Sequence, residues 1–160
     1  MSPAESNGEP ITEAGLEALN AEINELETVA RRDVAARILT ARGHGDLKEN
    51  AEYHAAKEDQ AHLETRILRL RQRRLNAVVV DVAEGPGVAF SFGRSAEVLD
   101  VETGEVHVWT IVGPAEADRE QGKLSAEAPV GKALLDRTAG ATVEVSTPRG
   151  TRHLTIERIL

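Results

Sequence analysis

Apolar residues at Leu16, Leu19, Ile23, Leu26 and Ala30 recur at 3-4-3-4 spacing. That spacing draws one stripe along a helix, and such a stripe needs a partner to bury it. The same chain supplies one. Tyr53, Ala56, Gln60, Leu63, Ile67 and Leu70 repeat the spacing, and no proline interrupts either segment. The first seam continues less cleanly through Val34 and Ile38. Between the seams lies Arg42-Gly43-His44-Gly45-Asp46, where two glycines end one helix and permit a tight reversal. Thr12 is a candidate N-cap for the first helix, with Ile11 and Leu16 placed as a hydrophobic staple, and Asp46 is a candidate cap for the second. The reading over 11–77 is an antiparallel coiled-coil hairpin, two helices of about 30 residues and about 40–45 Å each. Two helices alone bury one narrow seam, so the expectation is a projecting rod rather than a globule.

From Val78 onward the period shortens. The segments 78–80, 95–101, 105–112, 141–146 and 152–159 are rich in Val, Ile and Thr and partly alternate, as strands do. Thr103-Gly104 and Pro148-Arg149-Gly150 sit where hairpin turns are expected, and 130–136 reads as one short helix. The fold class is therefore α+β: the hairpin, then a small antiparallel β domain over 78–160. Residues 1–10 are polar, with Gly, Pro and Ser, and read as a disordered tail without the marks of a signal peptide.

Composition narrows the function. Aromatic residues make up 2% of the chain against 41% hydrophobic, so the core is aliphatic and an aromatic-lined ligand pocket is disfavoured. The formal net charge of −8 argues against free binding to duplex DNA, which rewards clustered Lys and Arg. The chain has no cysteine, so disulfides, thiolate zinc sites and thiol nucleophiles are excluded. No apolar run approaches the roughly 20 residues that span a bilayer. A cytoplasmic location with no membrane partner is the expectation.

The stretch HGDLKENAEYH, 44–54, holds the chemistry. Asp46 and Glu49 stand three apart at the expected helix start, on one face, at the far end of the rod. Two carboxylates offer hard oxygen ligands to Mg²⁺ but not a complete site, since magnesium also takes phosphates and water. The incompleteness suggests a tip that enters another molecule's site. On spacing alone a simpler account exists: Asp-x-x-Glu at a helix start is a capping pattern, and both charges suit the helix dipole. The two accounts can coexist.

The stretch 44–60, HGDLKENAEYHAAKEDQ, closely resembles the signature of the Gre transcript cleavage factors, in their GreA-like branch. Further similar pieces are Phe92-Gly93, Ile111-Val112-Gly113-Pro114, Glu116-Ala117-Asp118 and Gly131-Lys132-Ala133-Leu134-Leu135. The resemblance implies an N-terminal coiled coil and a C-terminal domain like the FKBP prolyl isomerases. It implies docking at the rim of the secondary channel of bacterial RNA polymerase, as a monomer, with the tip carried to the catalytic magnesium. There the RNA 3′ end of a backtracked complex is extruded. The family's tip acids fall on Asp46 and Glu49, which would share an Mg²⁺ ion with the polymerase; the chain itself has no cofactor and is no enzyme. His44, Asn50 and Tyr53 are supporting candidates, His44 also reading as a turn residue and Tyr53 as seam packing. The family's docking loop falls on Glu127-Ala128-Pro129, with alanine where serine is usual, a lost hydroxyl worth about 1 kcal/mol if it bonds a partner.

Other functions fit parts of the sequence. A Gre-like paralogue could fill the channel and inhibit transcription without cleavage. A prolyl isomerase is poorly supported, because Phe90, Phe92 and Trp109 are the domain's only aromatic residues and Trp109 reads as core. A plain coiled-coil scaffold would make the tip acids dispensable. Arg66, Arg69, Arg71, Arg73 and Arg74 could meet polymerase or RNA, or simply form a solvated, dipole-favoured helix end. Arg31, Arg32, Arg37 and Arg42 run toward the tip, those nearest it being better placed for RNA phosphates.

Overall fold

Thr12 begins the first helix as its spacing predicts, its hydroxyl accepting the backbone N–H of Gly15 at 3.0 Å. The computed structural model describes residues 8–46, 49–81 and 89–160. The order is β1 (Glu9–Ile11), α1 (Glu13–Glu25), a π-helical turn (Leu26–Ala30), α2 (Arg31–Arg42), α3 (Ala51–Asn76) and β2 (Ala77–Val79), then β3 (Ser95–Asp100), β4 (Val106–Val112), β5 (Lys123–Ser125), α4 (Pro129–Leu134), β6 (Thr142–Thr147) and β7 (Gly150–Ile159). The chain divides into two compact units, Leu16–Ala77 and the residues on either side of it.

The helical unit is an antiparallel hairpin. Leu19, Ile23, Ala41, Ala56, Ile67 and Leu70 are its buried apolar residues. Removing a side chain such as Ile67 from water contributes about 1.5–3 kcal/mol. Ion pairs lace its edges: Arg31 grips Glu64 with two bonds of 2.9 Å, Arg71 Nε donates to Glu27 at 2.7 Å, Arg37 meets Asp59 at 2.8 Å, and Arg66 meets Glu22. All four of these arginines thus neutralise an acid on the opposite arm. Leu16–Ala77 carries eleven acidic and eleven basic residues, so the net −8 resides wholly in the other unit.

The π turn explains the untidy part of the first seam. A strict heptad frame continues from Ala30 to positions 33 and 37, but Val34 and Ile38 are the half-buried residues. The frame has slipped by one residue. A π turn accommodates one extra residue by bonding i to i+5, and the Arg31 N–H does reach back to the Leu26 carbonyl.

The second unit is a five-stranded sheet of order β5-β4-β3-β7-β6, with β1 and β2 paired in a separate small sheet. The β3–β4, β3–β7 and β6–β7 pairs are antiparallel, with a bulge between Glu97 and Val98. Gly104 turns β3 into β4 with φ +75°, and β6 meets β7 across Pro148-Arg149 through the Thr147–Gly150 pair. One face buries Phe90, Ala96, Val98, Ile111, Val143, Val145, Leu154 and Ile156 with Leu134 of α4. The α+β reading, a helical hairpin plus a curled β-sheet domain with a short helix, describes the chain.

Four details differ from expectation. Glu9 and Pro10 belong to β1 rather than to a disordered tail, and the rest of that tail, 1–7, lies outside the described residues. The sheet gains β5, which joins β4 in parallel. Helix α4 starts at Pro129 and stops at Leu134, short of Asp136, whose φ of +62° no helix continues. Helix α3 starts at Ala51, so Asp46 and Glu49 precede the helix instead of sharing its first face. Leu47 and Lys48, between them, lie outside the described residues.

Candidate functional site

The closed end of the hairpin is built from two helix ends. At the end of α2 the N–H groups of Gly43 and His44 turn back to the carbonyls of Thr40 and Ala41, both at 3.1 Å. Gly45 then takes φ +115°, a conformation that side chains resist. Asp46 and Glu49 come next, both exposed. Asn50 is extended, with φ −83° and ψ +93°, and is the N-cap of α3: its Oδ1 accepts the Tyr53 N–H at 3.0 Å. Its Nδ2 donates to the Ala41 carbonyl at 2.5 Å. One amide therefore joins the last turn of α2 to the first turn of α3.

This corrects the assignment of Asp46 as cap. A cap needs only an acceptor, which Asp and Asn both have. Position 50 also faces the Ala41 carbonyl at the end of α2, which has a lone pair left beside the His44 N–H it accepts, and a carboxylate has no proton to donate to it whereas an amide does. The signal was present in the sequence as Asn50-Ala51-Glu52, a capping residue followed by a first-turn acid.

Around that bridge, His44 Nε2 lies 3.5 Å from Glu52 Oε2, an exposed pair of the kind worth little in water. Tyr53 is half-buried, its ring edge-on to His54 with centroids 5.6 Å apart. Asp46 and Glu49 are exposed carboxylates, oxygen donors of the type Mg²⁺ takes. Among the described residues no group of three or more His, Asp or Glu could hold a metal ion.

The second candidate region is the loop before α4. Glu127 and Pro129 are exposed, and Ala128 is half-buried at the N-cap of α4, with no side-chain cap. A serine at this position would first cap the helix, so alanine forgoes about 0.5–2 kcal/mol locally, whatever it does to a partner. Gly131 passes so close to the Ser125 carbonyl that any Cβ would collide, which accounts for glycine there. A cleft of 370 Å³ opens beside the loop, lined by Leu124, Ala128, Pro129, Val130 and Pro148 among others. Trp109 lies at the edge of the core, stacked on His107 with centroids 4.9 Å apart, and not fully inside it. Among the described residues no helix is long and apolar enough to cross a membrane.

Sequence missed one cross-chain contact. The Glu116 carboxylate accepts the Thr12 N–H at 3.0 Å and also takes the Thr12 hydroxyl, so it caps the start of α1 from the loop after β4. Gly15 and Gly113 leave room for it: a Cβ at Gly15 would strike Glu116, and one at Gly113 the Pro10 carbonyl. A contact spanning over a hundred residues leaves no local pattern.

Comparison with known proteins adds to this geometry. Residues 9–79 match the family model described as "Transcription elongation factor, N-terminal", and residues 86–160 that described as "Transcription elongation factor, GreA/GreB, C-term". A transcription elongation factor GreA of Bradyrhizobium sp. is 41% identical over 150 residues, covering 94% of this chain and 95% of its own. One of Nautilia profundicola is 45% identical over 151 residues, covering 94% of this chain and 93% of its own. Among solved structures, GreA factor homolog 1 (Gfh1) of Thermus thermophilus is 26% identical, covers 96% of this chain and 99% of its own, and has a TM-score of 0.42.

Proposed function

The chain belongs to the GreA/GreB family of transcription elongation factors, and on that premise we propose that it enters the secondary channel of bacterial RNA polymerase and stimulates the polymerase's own cleavage of backtracked RNA. The observation that carries this reading is the pair of exposed carboxylates, Asp46 and Glu49, at the closed end of a long hairpin. The loop of Glu127, Ala128 and Pro129 is the proposed docking contact at the channel rim. The protein acts in the cytoplasm, as a monomer, and is not itself an enzyme.

The chemistry rests on what two carboxylates can do beside a polymerase active centre. Two Mg²⁺ ions there would divide the work of phosphodiester cleavage, one favouring the attacking oxygen and the other stabilising charge on the leaving oxygen. Asp46 and Glu49 would help to hold the second of these ions by their anionic oxygens and so orient a water toward the RNA near its extruded 3′ end. The polymerase provides the remaining ligands and the first metal. Asn50 holds the turn, Tyr53 packs behind it, and His44 ties to Glu52.

The test uses stalled, backtracked complexes. Wild type should shorten the RNA from its 3′ end, and Asp46→Asn with Glu49→Gln should abolish that activity while leaving polymerase binding intact. If wild type leaves the RNA whole and slows elongation, the chain is an inhibitory channel-filling paralogue. If the double variant cleaves as wild type does, the tip acids play no part.

A further inference from the structure

We infer that Asn50 is a positioning residue, whose amide bridge across the hairpin turn sets the placement of Asp46 and Glu49; this rests on the cleavage reading above. Ala41 and Asn50 stand on either side of both acids in the sequence. The two positions are tied by one planar side chain, which donates to the Ala41 carbonyl at 2.5 Å and accepts from the Tyr53 N–H at 3.0 Å. Ala41 is buried, so its carbonyl belongs to the ordered part of the arm. The Asn50 carbonyl meanwhile accepts the His54 N–H at 3.1 Å and starts α3. Asn50 thus fixes the entry to α3 against the exit from α2, and Glu49 is its immediate neighbour in the chain. Reaction rates fall steeply when a catalytic group is displaced by about 1 Å, to the order of a hundredfold.

Asn50→Asp isolates the bridge. Asp caps helices as well as Asn, so the bond to Tyr53 is kept, while the donation to Ala41 is replaced by two oxygens that repel. The added negative charge lies beside the acids and by itself would lower the Mg²⁺ requirement, so a raised requirement in this variant reports misplaced acids and not lost charge. Asn50→Ser is the neutral second variant, since it caps α3 but is too short to reach the Ala41 carbonyl. Both are compared with wild type and with Asp46→Asn/Glu49→Gln on backtracked complexes, over a series of Mg²⁺ concentrations. Helix content and polymerase binding are measured alongside.

The expected result is about tenfold slower cleavage for both position-50 variants, with a higher Mg²⁺ concentration at half-maximal rate and unchanged helix content and binding. Excess Mg²⁺ should restore part of their rate and none of the double variant's. If both position-50 variants cleave as wild type while the double variant does not, the positioning role is overturned and the cleavage reading stands. If their rate falls only in step with lost helix content, the residue is a structural cap and the inference fails. If wild type does not stimulate cleavage at all, the cleavage reading fails and the inference with it.

Discussion

Glu102 and His153 lock the β3–β4 turn to β7. The Glu102 carboxylate accepts the His153 backbone N–H at 3.0 Å and the ring Nδ1 lies 2.7 Å from it. The backbone N–H first, and then the imidazole, push the Glu102 carboxyl down to about 2 from its ordinary 4.5. The same carboxylate raises the His153 pKa above its ordinary 6.5, with Glu144 on β6 adding to the effect. The two shifts bound a pH window. The stabilising effect of Glu102 is complete above pH 4.5 and is lost as pH falls toward 2, while that of His153 is complete below 6.5 and is lost as pH rises through its raised value. An NMR titration should therefore find the His153 midpoint above 6.5, and Glu102→Gln should bring it back down. A wild-type midpoint at or below 6.5 would show that the pair is not formed in solution. Behind it, buried Asp100 accepts the N–H groups of Glu102 and Thr103 and meets Arg152 at 3.2 Å, so a second carboxylate holds the same turn.

At the scale of elements, the helix seams were legible because burial obeys the spacing of apolar side chains. Ile67, fully buried in the middle of α3, is the clearest consequence. Ile67→Ala should cost about 2–5 kcal/mol of stability in a urea titration followed by helical circular dichroism. Leu68→Ala, one residue along at an exposed position, should stay within about 0.5 kcal/mol. Equal effects would mean the seam is not where the hairpin is held. The start of α3 was not legible in the same way, because both Asp46 and Asn50 are good capping residues and the choice between them lies with the Ala41 carbonyl across the turn. Nor was β5, three residues, Lys-Leu-Ser, that become a strand only by pairing with β4. Short segments of this kind take their conformation from tertiary partners, not from their own propensity.

For the whole molecule, the change from a roughly 3.5-residue to a 2-residue period near Ala77 was enough to separate hairpin from sheet. Asp46 and Glu49 were singled out from their sequence context, and the structure leaves both exposed between the two arms, while the capping role of Asn50 emerged only from the folded turn. What no local pattern contains is the distribution of pairing: the hairpin balances its charges across its arms, and the sheet unit holds the entire negative excess. Affinity for free duplex DNA rises with the number of phosphates neutralised. The full chain should accordingly fail to retain duplex DNA in a gel-shift titration even at about 50 mM salt; retention there would mean the cross-arm pairs open readily. The π turn has a consequence of its own. Each residue added to an α-helix rotates the remainder of that helix by about 100°, so a stray insertion in most of the first arm would aim the carboxylates at the wrong wall of any channel. At Leu26–Ala30 the backbone has already absorbed one such surplus residue, which makes that turn the arm's expansion joint, the place where its length can drift while its end keeps its bearing.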